Sequence, residues 1–257
     1  MKRLNIKGVV YIFTLIFLIW GIGSFFNLWN SYIIPSPIKI WESFLKLIEN
    51  GKLIRHIGIS LKRIGIGFSI TVFLALPLGI FFGTFPRIYM YFKSIFEFLR
   101  HTPPLALIPM IILWFGIGET SKIVIIVLAS FFPVFLNVLK GISQCDKKYI
   151  EVGQVFKLSK KDIFCKIILP NSIPDILIGL KLGIGYSWRA IIGAELIAAS
   201  SGIGYLILDA QQISRSDIVV LGIIVIGVTG IATDYLFSYL VTSYLKKKKG
   251  DYNEEYV

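Results

Sequence analysis

Charge is scarce in this chain. Asp, Glu, Lys and Arg make up 16% of its 257 residues, against about 25% in a water-soluble domain. Cysteine is scarcer, at two residues, which excludes a disulfide-stapled secreted scaffold. Cys145 and Cys165 have no histidine neighbours in the sequence and make a poor metal site. The two histidines, His56 and His101, are far apart and read as structural or interfacial groups, not catalytic ones. There is no G-x-x-x-x-G-K-[ST] phosphate loop and no H-E-x-x-H zinc helix. A G-x-S-x-G nucleophile elbow is missing too. ATP binding by the phosphate-loop route, zinc catalysis and serine hydrolysis are therefore not expected, and no cofactor is implied. No stretch alternates apolar and polar residues, which excludes a membrane β-barrel.

What the chain has is apolar residues, 55% of the total, and a mean hydropathy of +0.75. That excludes disorder and leaves an all-α polytopic membrane protein. The net charge of +12 then reads as cytoplasmic loops and not as nucleic-acid binding. A helix needs roughly 20 mostly apolar residues to cross ~30 Å of hydrocarbon. Six runs qualify as transmembrane helices: Val9 to Trp29, Ile64 to Pro86, His101 to Gly118, Ile123 to Leu139, Ile176 to Ala199 and Ile218 to Leu245. The first starts after Lys2-Arg3 but is too long for a signal-peptide core and ends in Phe25-Phe26-Asn27-Leu28-Trp29, so it is expected to stay uncleaved.

Lysine and arginine set the orientation. With both termini in the cytoplasm, seventeen basic residues fall inside and eight outside, with Lys181 and Arg189 within a span. This bias favours cytoplasmic termini in a cell membrane. The misfit is the first outer segment, which holds six basic residues. It also holds Ile38, Trp41, Phe44, Leu45 and Ile48 at helical spacing after Pro35-Ser36-Pro37. That pattern predicts an amphipathic helix, lying on the outer membrane surface or packed on the protein's own outer face. The organisation expected is residues 1–55 for the first span and outer segment, 56–240 for the membrane domain and 241–257 for a polar tail.

A charge at mid-bilayer costs at least ~2.5–3.5 kcal/mol, so such residues are functional candidates. Lys181, Trp188 and Glu195 are spaced by seven and share one stripe of the fifth span, with Lys181 and Glu195 about 21 Å apart along it. Arg189 is the deepest charge. It either faces a pore, where a guanidinium suits an oxyanion, or is buried against another helix. Gly179 and Gly183 form a small-xxx-small pair suited to helix packing.

The longest inner segment, about 141–175, carries Ile150, Val155, Phe156 and Leu158, then Ile163, Phe164, Ile167 and Ile168, with basic residues between. Two short helices joined at Ser159-Lys160-Lys161 fit this pattern, as a docking hairpin or as a folded connector. The loop resembles the "EAA" loop of permease subunits of ATP-binding-cassette importers, with the pattern E-A-A-x-x-x-G, nine residues, then I-x-L-P. Here Glu151 is followed six positions on by Lys157, and then by Ile167-Ile168-Leu169-Pro170. Val152 and Gly153 replace the two alanines, and Lys157 replaces the glycine. Arg100-His-Thr-Pro103-Pro104, Trp114-Phe115-Gly116-Ile-Gly118-Glu119 and Gly179 to Trp188 are similar to the nitrate/sulfonate/taurine branch of these permeases.

The resemblance implies a type I importer permease that moves a small anionic solute of the sulfonate, nitrate or taurine kind into the cytoplasm. It implies a homodimer of permeases, two cytoplasmic ATPase subunits that hydrolyse the ATP, and an extracytoplasmic solute-binding protein. It places Glu151, Val152, Gly153, Phe156, Lys157, Leu158 and Pro170 in ATPase coupling, with Trp188, Arg189 and Glu195 as pathway candidates. The rival reading is a secondary transporter driven by an ion gradient, which would show inverted repeats and matching broken helices; neither is visible in the sequence.

Overall fold

A computed structural model describes residues 6–254, without the side chains of residues 6, 7, 9, 10, 13, 240 and 244–254. The basic start Lys2-Arg3 lies outside them, as do the side chains of Lys246 to Lys249. The helices are α1 (Ile6–Phe25), α2 (Pro37–Glu49), α3 (Lys52–Thr84), α4 (Pro86–His101), α5 (Ile108–Phe115), α6 (Glu119–Ser143), α7 (Lys147–Val155), α8 (Lys160–Ile163), α9 (Leu169–Ala198), α10 (Ile203–Gln212) and α11 (Ser216–Glu254). A 3₁₀ turn covers Pro104–Leu107 and a π turn Phe164–Ile168. No strand occurs among the described residues.

Four helical runs are long and apolar enough to cross a membrane: α3, α6, the run Lys160–Gln212 that contains α9, and α11 over Ser216–Ser243. Thr14–Phe25 of α1 is a shorter apolar helix. The expected span over His101 to Gly118 is not one continuous helix. Pro86–His101 and Pro104–Phe115 form an apolar pair bent by 80°. Pro103 and Pro104 explain the break, because proline lacks an N–H and pushes the residue before it out of the α region. A second difference is α3, which begins at Lys52 and not at Ile64. Its inward positions Leu53, Ser60, Ile64, Gly67 and Thr71 repeat at helical spacing, so the basic residues between them ride on a helix and not on a loop. α11 likewise runs on to Glu254, through the start of the expected polar tail.

Contacts divide the chain into two units, one up to Ile59 with Ser200–Gly227, the other Ser60–Ala199 with the chain from Val228. In the second unit α6 and α9 pack closely because of the glycine pair. A Cβ on Gly179 would come within 2.7 Å of Asn137 Cβ, and one on Gly183 within 2.5 Å of Val134 Cγ2. In lipid such contacts gain dispersion rather than hydrophobic free energy, so close approach matters most. The core holds Ala75, Phe82, Val134, Phe135, Val138, Ile142 and Ile176, all buried. Phe96 packs on Phe135 with ring centroids 5.0 Å apart, and Phe131 stacks on it at 5.5 Å.

In the first unit, Ser36 caps α2 by accepting the Lys39 N–H at 3.3 Å, and Pro37 suits the first turn. Ile40, Ser43 and Leu47 of α2 are buried, while Ile38, Trp41 and Leu45 are exposed. The helix thus packs on protein through one face and keeps a second apolar face outside, with Trp41 stacked on Phe44 at 5.2 Å. Trp20 Nε1 donates to the Pro35 carbonyl at 3.0 Å, which ties α1 to the segment before α2.

Candidate functional site

The segment between α6 and α9 is closed by contacts between the end of α6 and the first turns of α9. Lys140 Nζ lies 3.1 Å from Asp175 Oδ1, and Asn171 Nδ2 donates to Cys145 Sγ at 3.6 Å. Cys145 is buried and Cys165 exposed, and both are free thiols. Asp146 caps α7, its Oδ1 accepting the Lys148 N–H at 3.0 Å. Glu151 sits in mid-helix with an exposed side chain.

α7 stops by a glycine-type ending without the glycine. The Leu158 N–H donates to the Gly153 carbonyl at 3.0 Å and the Lys157 N–H to the Gln154 carbonyl at 2.9 Å. These are the two bonds of a Schellman motif, which needs a left-handed residue after the cap. Lys157 takes that conformation, at φ +54°. The side chain thus does not prevent the turn, although an L-residue there costs roughly 1–2 kcal/mol. Ser159 then caps α8 by accepting the Asp162 N–H at 3.1 Å. The second short helix expected from the sequence is not separate. α8 passes through the π turn into α9, with the Leu169 N–H donating to the Phe164 carbonyl. The wider register falls just before Pro170, which brings no N–H of its own.

Gly153 is buried at the crossing inside this hairpin. A Cβ there would come within 2.7 Å of Ile167 Cδ1 and 3.2 Å of Ile163 Cγ1. The flank of α7 next to this crossing is apolar and uncovered. Phe156 is 75% exposed and Val155 80% exposed, with Tyr149 and Val152 beside them also exposed. Leu158 is half-buried.

The three pathway candidates separate. Trp188 is buried, and its Nε1 lies 2.8 Å from where a Cβ on Gly230 would be. Glu195 is fully buried, 0% exposed. It accepts from Ser60 Oγ at 2.8 and 2.9 Å and from Arg63 Nη1 at 2.7 Å. Arg63, 2% exposed, also grips Glu119 with two bonds, Nε at 2.7 Å and Nη2 at 2.6 Å. Lys122 Nζ adds contacts to Glu119 at 3.4 Å and to the Gly118 carbonyl at 3.2 Å. Two cations and two carboxylates balance to zero. This ion cluster joins α3, α6 and α9.

Arg189 alone of the three lines an open cleft, of about 490 Å³. Its guanidinium carbon stands 5.5 Å from the Tyr186 ring centroid, within cation–π range. Arg100, Thr102, Pro104 and Leu105 share the lining with Tyr186 and Arg189. Lys181, on the same helix, pairs with Asp234 at 3.5 Å.

Sequence reading assigned Arg63 and Lys122 to outer loops and gave Ser60 and Glu119 no partners. The signal that could have found the cluster is the helical spacing of Leu53, Ser60, Ile64 and Gly67, which extends α3 back through Arg63. Arg100 and Tyr186 had no such signal, because the bend at Pro103-Pro104 brings Arg100 to the cleft.

Residues 75–246 match the family of binding-protein-dependent transport system inner membrane components. The chain is 38% identical over 228 residues to SsuC of Bacillus subtilis, assigned to aliphatic sulfonates transport, covering 89% of this chain and 83% of that protein. It is 34% identical over 215 residues to the taurine transport system permease protein TauC of Escherichia coli, covering 82% and 78%. A crystal structure of an amino acid ABC transporter shares its fold, with a TM-score of 0.63 at 18% identity over 79% of this chain and 98% of that one. The apolar helices and these likenesses agree: the chain belongs to the binding-protein-dependent transport system inner membrane family, as a multi-pass permease subunit of an ATP-binding-cassette importer.

Proposed function

We propose that this permease works as a homodimer, each copy docking one cytoplasmic ATPase through α7, to import a small oxyanion of the sulfonate, taurine or nitrate kind. A solute-binding protein delivers the solute at the outer face, and both termini lie in the cytoplasm. The observation that carries this reading is the exposed apolar face of α7, with Phe156 at its end. A folded connector has no need to hold an aromatic ring in water, whereas a buried aromatic anchor dominates many interfaces. Glu151, Val152 and Phe156 make the contact. Gly153, Lys157, Leu158 and Pro170 hold the hairpin that presents them.

Arg189 meets the passing anion, with Tyr186 fixing its guanidinium. Trp188 and Glu195 belong to the wall behind it. The likeness to SsuC and TauC supports a sulfonate-class solute. Co-purification of the ATPase with Phe156→Ala and Glu151→Ala permeases tests the docking. Loss of the ATPase with normal membrane insertion is expected; full recovery with both variants would reduce the hairpin to a connector. Titration of the partner solute-binding protein with sulfonates, taurine and nitrate tests the solute.

A further inference from the structure

A second cavity, of about 510 Å³, lies wholly within the unit that contains α2 and α10. Its rim is cationic. Lys46 comes from the end of α2, Lys52 and Arg55 from the first turn of α3, and Arg215 from the turn before α11. Asp209 is the one carboxylate in the lining. Among the described residues Lys46, Lys52 and Arg55 have no carboxylate within ion-pair distance. Uncompensated cations crowded around one cavity repel each other, and they persist where an anion answers them.

Arg215 is held in place by a buried frame. Its Nε donates to Asp217 Oδ1 at 2.9 Å and its Nη2 to Oδ2 at 2.6 Å. Asp217, 3% exposed, also accepts from Ser43 Oγ. A guanidinium stays charged in any protein setting, and the bond to Asp217 raises the pKa of Arg215 further. His56 Nδ1 accepts the Gly202 N–H at 3.0 Å, which leaves a neutral ring with its proton on Nε2, a donor. Ser200 and Ser201 add hydroxyls to the same lining, and Leu47, Leu206 and Ala210 form an apolar floor.

We infer that this cavity binds an oxyanion carried on an apolar stem, held by Arg55, Lys46 and the fixed guanidinium of Arg215 above the Leu47–Leu206 floor. Two sources share that chemistry, a free alkyl sulfonate or phosphate and the head group of an anionic phospholipid. The site is separate from the Arg189 cleft, and nothing in it depends on ATPase docking.

The test uses the full-length permease with its ATPase subunit in phosphatidylcholine nanodiscs. One arm titrates butanesulfonate, with butanol as the uncharged control. The other adds phosphatidylglycerol to the nanodiscs and measures retained lipid by native mass spectrometry. Binding of butanesulfonate assigns a free anion; retention of phosphatidylglycerol assigns a head group. Lys46→Gln and Arg55→Gln, both at exposed positions, should each weaken the bound probe about tenfold, the scale of one charged hydrogen bond. Arg55→Lys should keep most of the binding. Absence of both probes above their controls would overturn the site, and so would equal binding by the Lys46→Gln/Arg55→Gln double variant. A double variant that slows transport while leaving both probes unaffected would also overturn it, in favour of a protein-docking surface. Lys46 and Arg55 line this cavity and not the Arg189 cleft, so insensitivity of both arms to these variants overturns the site and leaves the proposed function standing.

Discussion

Within one unit of this permease, two regions invert the usual placement of residues. The α7 hairpin puts Tyr149, Val152, Val155 and Phe156 at the surface. The cluster of Arg63, Lys122 and Glu195, with Glu119 at its exposed edge, puts charges in the interior. The cluster satisfies itself, because each cation faces a carboxylate at 2.6 to 3.4 Å. The hairpin is not self-satisfying: no described residue covers Phe156. An inverted residue that finds its partner inside the chain reads as architecture, and one that finds none reads as an interface.

The largest effect expected from breaking this contrast is in the ion cluster. Removing one partner of a buried pair leaves an uncompensated charge and costs about 3–5 kcal/mol. Arg63→Ala should therefore sharply lower the yield of detergent-stable permease, measured by size-exclusion chromatography. An intact, monodisperse Arg63→Ala protein would show that the cluster is not structural. Next is Gly153→Val. The new methyls meet Ile167 and Ile163, and overpacking of this kind costs about 1–3 kcal/mol. Thermal unfolding of the hairpin, followed by protease sensitivity between α6 and α9, should shift to lower temperature.

Lys157→Gly should act in the other direction and by less. Glycine removes a left-handed strain of roughly 1–2 kcal/mol, less some unfolded-state entropy. Stability measured by the same protease assay should rise slightly, with no loss of ATPase binding. A loss would mean that the lysine side chain itself makes a contact. The smallest structural effect belongs to Arg189→Gln, which leaves the cleft walls intact. It should slow uptake of an anionic solute into proteoliposomes without lowering permease yield. Unchanged uptake would place Arg189 outside the pathway.

Much of this was legible in the sequence because apolar length and proline position act locally. Residues 176–199 and 123–139 fall inside or within one residue of α9 and α6, which extend up to seven residues beyond them, and Glu151 to Pro170 marked the hairpin. What escaped was set by distant partners. Arg63 looks like a loop residue until Glu195, 132 positions away, is placed against it. The bend of 80° after His101 rests on Pro103 and Pro104 together, and an apolar run carries no sign of its angle. Lys157 escaped in the opposite sense: a residue that disfavours the left-handed turn adopts it because Gly153 and Gln154 supply both closing carbonyls.

The central claim is that the outer face of α7 is the ATPase contact. Its most direct test is the affinity of the purified ATPase subunit for nanodisc-embedded permease, wild type against Phe156→Ala. Truncating an aromatic anchor costs about 2 kcal/mol or more, which is roughly thirtyfold in Kd. A Kd weakened by that factor, with the permease still folded and inserted, is the expected result. An unchanged Kd for both Phe156→Ala and Glu151→Ala would contradict the account.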